Sequence, residues 1–282
     1  MNRRMIEEKF FKGLMFASLL IVLGSLAMIF LTVLKHGLPA LNLAMLTQTP
    51  KGGYYLGREG GILNAIVGSL CLAGGATIIA FLVGFPVAIY LHFYATRRRT
   101  AEVVRLSMDV LWGIPSIVYG AFAFILMLWL GVRASLLGGI LALACLELPI
   151  LTRGMDEAFT MVPSELKEAS YGLGATKIET AVKVVIRQTA PVLLTAILLA
   201  FGRGIGDAAS VLFTAGFTDR LPDSLFRPAA SLPLAVFFQL ATPFPAVQQR
   251  AYASALVLTA LILVISVFSR ALANKMKKHI IR

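Results

Sequence analysis

Charge is what this 282-residue chain has least of: Asp, Glu, Lys and Arg together make up 14% of it, against 58% hydrophobic residues. A mean hydropathy of +0.83 excludes a water-soluble globular domain of this length. Cysteine is almost absent. Cys71 and Cys145 each stand alone in an apolar run with no CxxC, which argues against a disulfide framework or a thiolate metal site and leaves ordinary core or lipid-facing thiols. The three histidines, His36, His92 and His279, are scattered near the ends of apolar runs, as interfacial side chains are, and there is no HExxH. There is no glycine-lysine phosphate loop either, since GATK at 174–177 lacks the GK[ST] ending. No Ser/His/Asp set is suggested by spacing. Energy for any driven process must therefore come from a partner or an ion gradient.

The charges that are present are lopsided, with a formal net charge of +12. The basic residues flank apolar runs and form no stripe on a polar fold, so they read as membrane topology and not as a nucleic-acid surface. Six spans follow, at about 13–34, 62–94, 103–130, 136–152, 189–213 and 251–273. The first exceeds a signal-peptide core and lacks a small-residue cleavage site, so it is expected to be retained. The second is longer than the hydrocarbon needs and must tilt, protrude or bend near Pro86. The third contains Gly113-Ile114-Pro115-Ser116. Between spans 1 and 2, residues 35–61 show no pattern of regular structure, and the segment 232–240 is too short to cross and reads as re-entrant or surface-lying. Eighteen of the 26 Lys and Arg fall on the side of both termini, seven on the other, and Arg203 lies within a span, which predicts N-in/C-in topology.

The chain is organised around a polar segment at 153–188 on the basic side. It reads as two short helices about a glycine elbow: Ser164 can cap the first, with Glu165 in its first turn, and Thr176 with Glu179 forms a capping box for the second. Gly172 and Gly174 supply the backbone freedom for the turn.

The costly charged residues inside the membrane are Glu147 in the fourth span and Arg203 with Asp207 in the fifth. Arg203 and Asp207, four apart, share a helical face; they either pair as an internal ion pair or line a path in which the guanidinium meets an oxyanion. Gly202, Gly204 and Gly206 would let another helix or a substrate approach the backbone. Glu147 is expected to reach water on the elbow side.

These residues carry a resemblance. Glu168, Ala169 and Gly174 match the EAA pattern of binding-protein-dependent ABC importer permeases, with Ser170 in place of the second Ala, Val184 and Ile186 for the aliphatic pair, and Arg187 where Pro is usual. GILNAIVGSL, GIPSIVYGAF, EASYGLGATK and GRGIGDAASVLFTAG are similar to the phosphate-import subfamily, its PstA-like subunits in particular; Asp207 stands where Glu is usual, followed by Ala-Ala-Ser and not Thr-Ala-Pro. The resemblance implies an all-α, polytopic membrane protein with a type I, MetI-like permease core at 61–274, a peripheral first helix within 1–60 and a basic tail at 275–282. It further implies a non-catalytic subunit of an inorganic phosphate importer in the bacterial inner membrane. Arg203 and Asp207 would belong to the substrate pathway, and Glu168, Ala169, Ser170, Gly172 and Gly174 to ATPase coupling. The implied partners are a PstC-like permease, two PstB-like ATPase subunits carrying the ATP and Mg, and a PstS-like external binding protein; no cofactor is expected on this chain. Tungstate, molybdate or sulfate import, a six-span secondary anion transporter and an assembly scaffold are the competing readings.

Overall fold

The computed structural model describes residues 3–51, 59–95 and 97–276. His279, Arg58, Gly52-Gly53 and the basic tail from Lys277 onward lie outside them. Five helices are long and apolar enough to cross a membrane, six when one bent pair counts as a single span. The first, α1 (Arg3–Gly37), is exposed along its apolar length and packs on the bundle through its far end, where Gly37 comes close to Tyr252 and Leu256. Ser18 and Thr32 turn their hydroxyls back to carbonyls one turn earlier, which is how a polar side chain survives facing hydrocarbon.

The stretch 35–61 is more ordered than its composition suggests. It contains α2 (Leu43–Thr47), capped by Asn42, and a two-residue antiparallel pair, β1 (Pro50–Lys51) with β2 (Glu59–Gly60). α3 (Leu63–Ile89) follows and continues into wide π-type turns at Tyr90–Tyr94, which begin four residues after Pro86. Pro86 has no amide hydrogen for the Leu82 carbonyl, while its own carbonyl still accepts from Tyr90, where the wide turns begin.

The third predicted span is not one helix. α4 (Arg98–Trp112) and α5 (Ser116–Trp129) meet at 97° across Gly113-Ile114-Pro115. Pro115 disfavours helical backbone at its predecessor and stands at the N-cap of α5, which gives the bend a local cause. α4 is held against the next helix, α6 (Leu136–Thr160), by ion pairs: Arg105 grips Asp156 with two contacts of 2.7 and 3.0 Å, and Arg153 reaches Asp109 at 2.8 Å. α6 runs eight residues past the expected end at 152, because its last two turns are occupied by these contacts.

α6 is the most buried of the long helices. Its first amides, which no helical carbonyl can serve, are met from the segment after α9 (Ile186–Ile205): Ser135, Leu136 and Leu137 donate to the carbonyls of Thr214, Arg227 and Leu225. Two apolar clusters lie along it, one from Leu72 to Ile140 and Val211, the other from Phe159 to Val185 and Leu193. Water plays no part in driving helices together in lipid, so close contact between small residues carries the packing. Gly84 accepts Thr152, Gly139 accepts Leu72, and Gly68 lies against the carbonyl of Ala230.

The elbow comprises α7 (Ser164–Gly172) and α8 (Lys177–Glu179), the latter passing through wide turns at Thr180–Val185 into α9 as one continuous helix. α9 stops at Ile205, eight residues short of the expected end of span 5. α10 (Leu232–Leu240) is capped by Ser231 and packs its first half, Leu232 to Ala235, into the bundle instead of lying on its surface. α11 (Pro245–Met276) closes the fold.

A methyl group at position 68 would sit 1.9 Å from the Ala230 carbonyl oxygen, whereas one at 74 meets nothing within 4 Å. Gly68→Ala is expected to cost about 1–3 kcal/mol and to lower the apparent unfolding temperature in detergent. Gly74→Ala is expected to leave it unchanged.

Candidate functional site

The elbow is a clamped and capped structure. Thr176 accepts from the Glu179 amide at 3.3 Å and the Glu179 carboxylate accepts from the Thr176 amide at 3.0 Å, a complete capping box. Ser164 is not a cap: it is the first helical residue, the N-cap position belongs to Pro163, and no side chain caps that end. Glu165 does lie in the first turn. Gly174 alone carries the turn, with φ of +85°, while Gly172 ends α7 in ordinary backbone.

Two tethers run from the wide last turns of α3 to the two limbs. Lys167 lies 3.0 Å from His92 Nε2, and the Lys177 ammonium sits 5.4 Å from the centre of the Tyr94 ring. A charged lysine can only donate, so His92 is the acceptor, and burial pushes the Lys167 ammonium below its ordinary value. His92 is thus a structural partner and not a free interfacial side chain. Ser170, which departs from the EAA pattern, joins the limbs through its 2.9 Å hydrogen bond with Thr180. Glu168 and Ala169 are exposed beside it. The tip is apolar: Leu173 is 90% exposed, with Ile178 and Tyr171 exposed beside it. Such a tip on a polar segment marks a protein contact. The sequence reading missed Leu173, whose signal was a leucine placed between two turn glycines.

The charged residues inside the bundle are arranged differently from expectation. Glu147 has no route to water; it is fully buried where the two apolar clusters meet. Thr77 of α3 donates to one carboxyl oxygen at 2.7 Å, and the other oxygen has no hydrogen-bond partner among the described residues. That oxygen fills the space a side chain at Gly204 would need, 1.9 Å from a built Cβ. Of the three glycines, only Gly204 admits such a close approach; Gly202 faces open space and Gly206 makes ordinary contacts with Ile262.

Arg203 and Asp207 do not pair. The helix has ended between them, so the four-residue spacing no longer aligns their side chains. Asp207 instead accepts from the Ser210 amide at 2.8 Å and its hydroxyl at 2.5 Å, capping the turn that follows. Gly120 of α5 packs directly on Ala209 and Ser210 there, so PSIVYG meets the Ala-Ala-Ser that follows GRGIGD. Arg203, in the last turn of α9, makes no hydrogen bond or ion pair among the described residues. It opens on a groove of about 460 Å³ between α9 and α11, lined by Thr195, Leu199, Gly202, Ile262 and Ser266. The guanidinium is exposed on this groove, whose wall is largely apolar but also carries Arg270, an arrangement suited to an oxyanion. Among the described residues no three His, Cys, Asp or Glu converge on a point that could hold a metal.

Residues 80–278 match the family described as binding-protein-dependent transport system inner membrane component. The chain is 33% identical over 268 residues to the phosphate transport system permease protein PstA of Haemophilus influenzae, covering 95% of this chain and 94% of that protein. It is 34% identical over 261 residues to the phosphate transport system permease protein PstA 1 of Mycobacterium tuberculosis strain H37Rv, covering 91% and 84%. Its fold is similar to a chain of the bacterial alginate ABC transporter in complex with alginate pentasaccharide-bound periplasmic protein, with a TM-score of 0.68 over 99% of both chains at 12% identity. It is also similar to the inward-facing MetNI methionine ABC transporter, at 0.62 over 76% of this chain and 95% of that one, with 18% identity.

Gly204→Ala is expected to destabilise the bundle by about 1–3 kcal/mol through the Glu147 carboxyl, and Glu147→Ala in the same chain is expected to recover most of the loss in unfolding temperature. In the elbow, Gly174→Ala is expected to cost about 1–2 kcal/mol, and Gly172→Ala to cost nothing measurable in the same assay.

Proposed function

The chain belongs to the family of binding-protein-dependent transport system inner membrane components, and on that premise we propose that it is the PstA-like permease of an ATP-driven importer of inorganic phosphate. It is a multi-pass protein of the inner membrane, and its role there is to form half of the translocation path. A PstC-like permease supplies the other half, PstB-like ATPases dock on the elbow, and a PstS-like protein delivers phosphate from outside. With the Lys and Arg excess placed inside, both termini and the elbow face the cytoplasm.

The observation that carries this reading for the chain itself is Arg203, unpaired and open to a groove at the end of α9. A tetrahedral oxyanion crossing the membrane must have its charge offset where water is scarce, and a guanidinium fork does this with two parallel hydrogen bonds. The elbow supplies the drive. From Lys177 to Ile205 the chain is one continuous helix, about 44 Å long at 1.5 Å per residue. Displacement of the tip therefore reaches Arg203 without an intervening loop, with the Gly204–Glu147 contact as the fulcrum on α6.

In reconstituted complexes, Arg203→Gln is expected to abolish phosphate uptake while assembly and ATP hydrolysis persist; full uptake by that variant removes Arg203 from the path. Leu173→Asp, at the 90%-exposed tip, is expected to stop ATPase subunits from co-purifying in mild detergent. Retention of the ATPase by that variant would place docking elsewhere.

A further inference from the structure

The short helix α10 enters the bundle beside α3, and its two ends are held in different ways. At its start the Leu232 amide, which no carbonyl of its own helix can serve, donates to the Ser69 hydroxyl of α3 at 2.8 Å. Ser231 caps the same end. Gln239, in the last turn, makes no side-chain hydrogen bond to α3 among the described residues, yet it lines one hollow together with Asn64 in the first turn of α3. Gln239 follows Leu232 by about 10 Å of helix and Asn64 precedes Ser69 by about 8 Å. The two helices therefore run in opposite senses, and the hollow lies where a second rung between them falls.

The hollow suits a single small occupant. It leaves about 10 Å³ for the centre of a water molecule, room for one water and nothing larger. Asn64 and Gln239 are 2% and 6% exposed, and Asn64 Oδ1 and Gln239 Oε1 are buried with no hydrogen-bond partner among the described residues. The orientation of the Asn64 amide is fixed, because its Nδ2 donates to the Thr218 carbonyl at 2.6 Å, so the atom left over is an acceptor. Asp219 on the same wall is exposed, which gives water a way in. The unmet oxygens of Glu147 and Thr152 differ, since each presses into the space left by a glycine, Gly204 and Gly84.

We propose that this hollow is a hydration site: one ordered water donates one hydrogen to Asn64 Oδ1 and the other to Gln239 Oε1, tying the last turn of α10 to the first turn of α3. Two acceptors match the two donors of a water, whereas a hard cation of that size takes about six oxygens. α10 is then pinned to α3 by a direct hydrogen bond at one end and through solvent at the other. The last turns of α3 hold the elbow, so the solvent rung lies at the opposite end of the bundle. The site stands whatever ion the protein carries.

The test uses the full-length chain in mild detergent, with the subunits that accompany it. A cryo-EM map that shows ordered water elsewhere in the bundle is expected to show a peak about 2.6–3.2 Å from both oxygens. Gln239→Met keeps the length of the side chain and removes the acceptor, and it is expected to lower the apparent unfolding temperature by about 2–4 °C. An orphaned oxygen predicts the opposite sign, because replacing it with an apolar group relieves a buried polar atom. Asn64→Ala also loses the Thr218 contact, but the double variant Asn64→Ala/Gln239→Met is expected to fall by less than the sum of the two, since either change alone removes the bridge. Absence of the peak, an unchanged or raised unfolding temperature for Gln239→Met, or strict additivity in the double variant overturns the proposal. Exchange of sodium and potassium for choline is expected to change nothing. A drop seen in the wild type and absent from Gln239→Met assigns the site to a cation and overturns it as well.

Discussion

A carboxyl group sealed from water holds the centre of this molecule. Glu147 sits at the level where the two apolar clusters of the bundle meet, takes one hydrogen bond from Thr77, and presses its other oxygen into the space left by Gly204. Three helices meet at that point, and each contributes one thing: a hydroxyl from α3, the acid from α6, an absent side chain from α9. An acid in such a place costs free energy that an aliphatic residue would not. What it provides is a specified register, because only one residue of α9 can lie opposite the carboxyl, and the next residue back along the chain is Arg203. The side-chain direction of the guanidinium therefore depends on a contact it does not itself make.

Much of the architecture was legible because its signals are local. Each long apolar stretch declares a span by its own length, the Thr176–Glu179 box is written in four residues, and Gly174 stands where a left-handed turn falls. What could not be read were relations between distant residues. His92 and Lys167 are 75 residues apart and Arg105 and Asp156 are 51 apart, so neither pair leaves a pattern along the chain. The break at Pro115 was hidden for another reason. Hydropathy averages over a window, and a right-angle bend between two apolar halves leaves the average unchanged. The end of α9 at Ile205 was missed likewise, since the residues after Asp207 remain apolar although they are no longer helical. That one boundary decided the Arg203–Asp207 question, because a shared helical face requires a helix.

The candidate site was legible in its residues but not in their division of labour. Arg203 and Asp207 were read as either an ion pair or the lining of a path; the acid caps a turn and the arginine makes no ion pair among the described residues. Glu147, taken as a side chain reaching toward water, is the more deeply buried of the two acids. The elbow shows the same shift. Its glycines and capping residues shape it, while the surface it offers is made by Leu173, the leucine between Gly172 and Gly174, and its apolar neighbours, whose exposure only the folded elbow reveals.

The first amides of α6 end on the carbonyls of Thr214, Leu225 and Arg227, which belong to the segment that follows α9. During synthesis the ribosome makes α6 well before those carbonyls exist. Until α9 and the segment after it have been made, the start of the most buried helix has to find its acceptors in water or in the insertion machinery. The bundle therefore cannot mature span by span in order of translation: its innermost helix is among the last to be completed, and a chain truncated before residue 214 would leave that helix end without its native acceptors.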